Sequence, residues 1–260
     1  MTIGLLSYPF VNDTYMRKGH IMLEPKTRPH ISAILPAYNE ARNIRAVLEV
    51  LRQSDFLDEI LLVDDGSSDE TFLIMQEFAG QDSRMRLLRH TRNEGKGQAI
   101  FTGWKAASGT VLLLLDADLK NLTPGHLRAL LAPVLDHRAD MTLGLFWGGH
   151  IHTDLSHWGA PFLTGQRALR TGIMKHVSYE AARGYGFEIA LTVAASQNKY
   201  RTRIVPMSGV WHPPSEFHRG GWNGVKWRAR MYAQILRALW VATRERYPQV
   251  VEFFSSILKP

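Results

Sequence analysis

Residues 31–51 read ISAILPAYNEARNIRAVLEVL, and this stretch decides the fold. Ile31 to Leu35 is an unbroken apolar run, short enough for one strand buried on both faces. Ile44, Val47, Leu48 and Leu51 then recur at i, i+3, i+4 and i+7, the spacing of one helix face. The strand-loop-helix unit repeats down the chain. Glu59 to Val63 is a second strand, and Ser67 with Glu70 three residues later predicts a capping box opening the next helix. Met85 to Arg89 reads as a third strand, Gly97 to Ala107 as a helix and Thr110 to Leu115 as a fourth strand. Thr123-Pro124 starts a helix bearing Leu127, Leu130, Leu131 and Val134. This alternation predicts an α/β fold, a mostly parallel sheet with helices on both faces.

Ligands in such sheets bind beyond the carboxyl ends of the strands. All four strands run there into polar loops: Pro36 to Glu40, Asp64 to Asp69, His90 to Gly97 and Asp116-Ala117-Asp118. The last is the most suggestive. At a strand end the chain bends, so both carboxylates can converge on one divalent cation, although Asp also serves turns and helix caps without a metal. Further on, Met141 to Leu145 reads as a strand and Phe146 to Pro161, rich in Gly, His and Trp, as a long active-site loop. Thr164-Gly165-Gln166-Arg167 is expected to open a helix, Gly184 to Glu188 leads into another through Ile189, Leu191 and Val193, and Arg203 to Val205 is a strand.

At 260 residues and 45% hydrophobic content the chain can bury one sizeable core. Without cysteine, a metal must be held by oxygen or imidazole. No apolar run approaches the roughly 18 residues that span a bilayer, and the amino end lacks the order of a secretory signal. The expected location is the cytoplasm, at most peripheral at the inner face of the membrane. Residues 1–30, with Pro9, Pro25 and Pro29, read as an N-terminal arm. The net charge of +7 is concentrated in residues 219–260, where eight Lys/Arg face two Glu. This basic, amphipathic tail is expected to be helical, with Met231, Ile235, Leu239 and Trp240 on or near one face. Its interleaved Trp222, Trp227, Tyr232 and Trp240 suit docking on the domain or a homodimer partner, with peripheral membrane contact as the competing reading.

PAYNE at 36–40, VDDGSSDET at 63–71, NEGKGQA at 93–99 and DAD at 116–118 stand together in order and at their intervals. On these the chain resembles the family 2 type glycosyltransferases of GT-A (Rossmann-like) fold. PAYNEARNI with GKGQA is similar to the dolichol/polyprenyl-phosphate mannosyltransferases and the glucosyl-3-phosphoglycerate synthases, and PFLTGQRAL with GYGFEIAL to the second group. The resemblance implies a domain over 31–218, with a donor half at about 31–145 and an acceptor half at about 146–218, followed by the C-terminal helical extension. It implies that Asp65 pairs with the nucleotide base and that Pro36, Ala37, Tyr38 and Glu40 line the ribose and base pocket. Lys96 is placed near the diphosphate, Asp116 and Ala117 on the nucleotide sugar, and Asp116 and Asp118 on a Mn2+ or Mg2+ ion. A third metal ligand is implied at His212, with His218 as rival.

The implied function is transfer of a sugar from a UDP- or GDP-sugar to a phosphorylated acceptor, a polyprenyl phosphate or a small phospho-acid such as 3-phosphoglycerate. Many inverting members carry a Glu-Asp pair where this chain has Thr164 to Arg167. That departure suits an anionic acceptor that needs no general base, or a retaining reaction. Asp118, Arg167, whose fork suits phosphate or carboxylate, and Glu188 are therefore the expected catalytic set. Glu188 also reads as an ordinary acidic residue at a helix start. A nucleotidyltransferase would place a Gly-rich loop after the first strand, and PAYNE is not one. A silent nucleotide-sugar-binding scaffold would bind without turnover. A nucleic-acid-binding protein using the tail is the remaining alternative, and no nucleic acid is expected as a partner.

Overall fold

A computed structural model of the chain describes residues 28–147, 164–179 and 186–213. The N-terminal arm up to residue 27, most of the 146–161 loop, His218 and the basic tail lie outside the described residues. Among the described residues, seven strands form one sheet in the order β3-β2-β1-β4-β6-β5-β7. They are β1 (Ile31–Ala37), β2 (Glu59–Asp64), β3 (Met85–Arg89), β4 (Val111–Leu114), β5 (Met141–Trp147), β6 (Arg167–Arg170) and β7 (Thr202–Ser208). The helices are α1 (Ile44–Gln53), α2 (Thr71–Gln81), α3 (Lys96–Ala106), α4 (Pro124–Leu135) and α5 (Phe187–Gln197), with a 3-10 turn over Thr171–His176.

Successive strand residues point to opposite faces, and the core divides accordingly. Ala33, Leu35, Ile60, Leu62 and Leu113 pack against Leu48 and Leu51 of α1, Met75 and Phe78 of α2, and Leu127 and Leu131 of α4. Ile34, Leu61, Val63, Leu112 and Leu114 pack against Ile100 and Phe101 of α3 and Leu191 of α5. With both faces covered, the strands read as continuous apolar runs, as the sequence predicts.

Pairing places the site. β1 runs parallel to β2 and β4, and β2 parallel to β3, with Ala37 opposite Asp64 and Asp64 opposite Arg89. The four polar loops therefore leave one edge of the sheet. β6 is antiparallel to both β4 and β5, with Arg167 opposite Leu114 and Leu143. Its amino end reaches that same edge and delivers Thr164 to Gln166. β7 runs parallel to β5, and beyond it Trp211 pairs with Lys120 just after the Asp116-Ala117-Asp118 turn.

Two local expectations are corrected. Thr164 to Arg167 opens no helix; Arg167 begins a strand in the interior of the sheet. Its neighbours in space supply the hydrogen bonds that a helix would have supplied in sequence, a tertiary override of local pattern. The Ser67/Glu70 capping box is also absent. Glu70 is the N-cap of α2 without a side-chain cap bond, and the Ser67 hydroxyl accepts from the Asn39 backbone N–H at 3.0 Å instead. At α4, by contrast, Thr123 caps the helix as read and Pro124 occupies the first turn. Among the described residues no helix is long and apolar enough to cross a membrane.

Candidate active site

The loops after β1 and β2 are laced together. Glu40 N–H donates to Thr71 Oγ1 at 2.7 Å, Ala41 N–H to Asp69 at 3.2 Å, and Ser68 N–H to Asn39 Oδ1 at 2.8 Å. Gly66 has φ +72°, and a Cβ there would collide with the backbone of Arg92 and Asn93, so only glycine lets the second and third loops touch. Pro36, Ala37 and Ala117 are buried, and the two alanines join the apolar core. From the first loop it is Tyr38 that stands out, 39% exposed, with Glu40 half-buried beside it.

Asp65 is 2% exposed and its carboxylate is turned to the protein. Oδ1 accepts from Glu94 N–H at 2.9 Å and lies 2.7 Å from His90 Nδ1, while Oδ2 accepts from Gly95 N–H at 2.8 Å. A carboxylate expected to meet a base thus pins down the loop that leads into Lys96. His90 escaped the sequence reading because a lone imidazole in a polar loop carries no pattern; its partners lie 25 and 12 residues away.

Lys96 is the first residue of α3, where a cation opposes the helix dipole. Two carboxylates hold it there: Asp116 Oδ1 and Glu188 Oε1, each 2.6 Å from its Nζ. They outweigh the cost of burial and push the ammonium pKa upward, so Lys96 stays charged. Burial would raise the Asp116 carboxyl too, but Lys96 and a 2.7 Å bond from Gln166 Nε2 hold it below its ordinary value. Gln166 is in turn fixed by Thr164, whose hydroxyl donates to Gln166 Oε1 at 2.8 Å. A Cβ at Gly165 would fall onto the Asp116 carboxylate and Lys96 Nζ, so this glycine leaves the space the ion pair occupies.

Asp118 behaves oppositely: burial and the charge of Asp116 push its carboxyl above the usual range, partly offset by His212 and Lys96. Glu40 rises to about 7 through burial, offset by its Asn43 bond and reinforced by Asp118, Asp116 and Asp69. Arg167 is fully buried, 0% exposed. It donates to Thr164 O at 3.0 Å, Thr192 Oγ1 at 2.9 Å and Glu188 O at 3.1 Å, and burial lowers its pKa to about 10. Arg167, implied as an acceptor-binding fork, is a cation beneath the described site that ties β6 to the start of α5.

Among the described residues no three His, Asp or Glu side chains gather closely enough to hold an ion, so Asp116, Asp118 and His212 are not a preformed ligand set. Asp116 is paired with Lys96. The donor chemistry nonetheless fits Mn2+ or Mg2+. Asp116 and Glu188 face both Lys96 and Arg167, Asp118 feels the charges of Asp116 and Lys96, and Glu40 feels those of Asp118 and Asp116. His212 lies within electrostatic reach of both Asp116 and Asp118, and its ring meets Phe146 edge-on at 5.7 Å. Oxygen and imidazole ligands around a surplus of negative charge suit a hard or borderline dication.

The chain is 35% identical over 144 residues to an uncharacterised protein of Methanocaldococcus jannaschii, covering 53% of this chain and 62% of that one. It is 35% identical over 96 residues to an undecaprenyl-phosphate 4-deoxy-4-formamido-L-arabinose transferase of Proteus mirabilis, covering 35% and 29%. The chain thus spans less than two thirds of the length of these curated relatives. Its fold is similar to glucosyl-3-phosphoglycerate synthase of Mycobacterium tuberculosis, solved with Mn2+, uridine-diphosphate-glucose and phosphoglyceric acid. The TM-score is 0.62, the identity 22%, and the coverage 79% of each chain. The family model described as Glycosyl transferase family 2 matches residues 32–192, well over half of the sequence and every strand end that carries the acidic corner; the chain belongs to that family.

Proposed function

We propose that this glycosyltransferase moves a sugar from a UDP- or GDP-sugar to an acceptor that presents a phosphate, a polyprenyl phosphate or a small phospho-acid. The observation that carries the reading is Lys96, a cation held at a helix start between Asp116 on one side and Glu188 on the other. In the reaction the bond from the anomeric carbon to the diphosphate breaks, its electron pair leaves with the diphosphate, and an acceptor oxygen forms the new bond; an anionic phosphate oxygen brings no proton, and an acceptor hydroxyl gives its proton to the departing diphosphate. The obstacle is the charge of the leaving group. Lys96 supplies a fixed positive charge beside it, preorganised by two carboxylates rather than recruited from solvent. Asp116, Asp118 and His212 would hold a divalent cation, which when bound contributes Lewis-acid stabilisation of the diphosphate.

The acceptor side supports an anionic partner. Thr164, Gly165 and Gln166 present no carboxylate where a general base would be wanted, and an acceptor phosphate needs none. Glu188 is 7% exposed and paired with Lys96, so its role in this reading is to orient the ammonium. The phosphoglyceric acid bound to the Mycobacterium tuberculosis enzyme and the undecaprenyl phosphate in the name of the Proteus mirabilis relative favour the same acceptor class.

The test is a panel of UDP- and GDP-sugars with Mn2+ or Mg2+, scored for thermal stabilisation and then for turnover with 3-phosphoglycerate and with polyprenyl phosphate. Stabilisation by at least one donor, with turnover on one phosphorylated acceptor, is expected. A protein that no nucleotide sugar stabilises would sink the proposal.

A further inference from the structure

We propose that His90 is a positioning residue of the donor side: by clamping Asp65 it shapes residues 93–95 and thereby sets affinity for the donor's nucleotide. This rests on the proposed function above. The imidazole joins two elements. Nδ1 lies 2.7 Å from Asp65 Oδ1 and Nε2 lies 2.9 Å from Thr102 Oγ1, on the first turns of α3 that follow the loop. A carboxylate only accepts, so Nδ1 carries a proton toward Asp65. The His90 side chain is 10% exposed, so both bonds are largely shielded from competing water.

Asp65 cannot hold the loop in one orientation alone. Its two oxygens take the backbone N–H groups of the consecutive residues Glu94 and Gly95, and rotation about the side chain would exchange or break these bonds. A third partner on Oδ1 fixes the rotamer, and Thr102 fixes that partner. The clamp itself reaches a ligand-accessible surface: His90, with Gly66, Ser67, Arg89 and Thr91, lines an open cleft of about 350 Å³ at the same strand ends.

The chain separates this effect from the chemistry. Lys96 follows Gly95 directly but has its own anchors in Asp116 and Glu188. Loosening residues 93–95 should therefore weaken binding of the nucleotide in ground and transition state alike, raising KM while leaving kcat nearly unchanged. Removing one partner of a buried charged hydrogen bond suffices for about a tenfold effect.

The experiment compares wild type with His90→Ala, His90→Gln, Thr102→Val and Thr102→Ser. It measures KM and kcat for the nucleotide sugar, calorimetric affinity for UDP or GDP, and amide exchange over residues 93–96. Expected are a KM about tenfold higher in His90→Ala with kcat within about threefold, and faster exchange at Glu94 and Gly95. A smaller rise is expected in Thr102→Val, with recovery in Thr102→Ser and partial recovery in His90→Gln. An unchanged KM in His90→Ala, or a loss confined to kcat, would overturn the inference while the functional reading stands. A wild type that binds no UDP- or GDP-sugar would instead overturn the reading, and this inference with it.

Discussion

Glu59 and Asp118 sit at opposite ends of one sheet and are treated in opposite ways. Glu59, first residue of β2, accepts from Ser32 Oγ at 2.6 Å, Ser108 N–H at 2.9 Å and Arg86 at 2.6 Å. Burial alone would raise its carboxyl, but these donors hold it below the ordinary range. Asp118, beyond the carboxyl end of β4, meets burial and the charge of Asp116, and its carboxyl is pushed up. One acid is fully answered by the fold. The other is left in want of positive charge, and that difference separates a structural carboxylate from one arranged to meet a ligand.

The largest effect is expected where the two roles meet, at Arg167. Replacing it by Met takes the guanidinium donor from the carbonyl of Thr164 and the hydroxyl of Thr192, leaves Glu188 O to the Thr192 hydroxyl, and removes a cation from beneath the site. Urea unfolding should show a loss of about 3–5 kcal/mol. Asp118→Asn comes next: turnover should fall about 100-fold or more, while the melting temperature does not fall, because the substitution relieves repulsion. A lowered melting temperature there would make Asp118 a second Glu59. Glu59→Gln is the mirror image, with about 2 kcal/mol of stability lost and kcat and KM unchanged.

The smallest effect is a slope. Glu40 is held protonated in the fold up to about pH 7, whereas the unfolded chain releases that proton near 4.5. The folded state binds the extra proton between these values, so stability of the metal-free protein should decline as pH rises through that window. Melting temperatures at about pH 5 and about pH 7.5 should differ less in Glu40→Gln than in wild type. An equal difference in both proteins would remove Glu40 from the acidic corner.

Much of this was legible in one dimension because its signals are local. The apolar runs of β1 to β4, the face of α1 and the Thr123-Pro124 cap all follow from spacing, and parallel pairing then brings four loops to one edge. Lys96 and Asp116 belong to separate loops that this rule alone brings together. Arg167 was not legible in the same way. Reversal of β6 beside β4 turns a polar tetrad that looks like a helix start into interior strand, and an arginine that would face solvent becomes buried between β6 and α5. Asp65 illustrates the same limit at the level of one side chain, since its partners come from the third loop and not from its own.

By itself, the sequence determined the layer architecture, the edge at which the site lies and the residue types gathered there, because periodicity and strand-end position are properties of short segments. Only the tertiary structure decided which acids are satisfied and which are not. That depends on donors brought from 20 or more residues away, such as Lys96 to Asp116, Gln166 to Asp116 and Arg86 to Glu59, and on the burial that makes each pairing count.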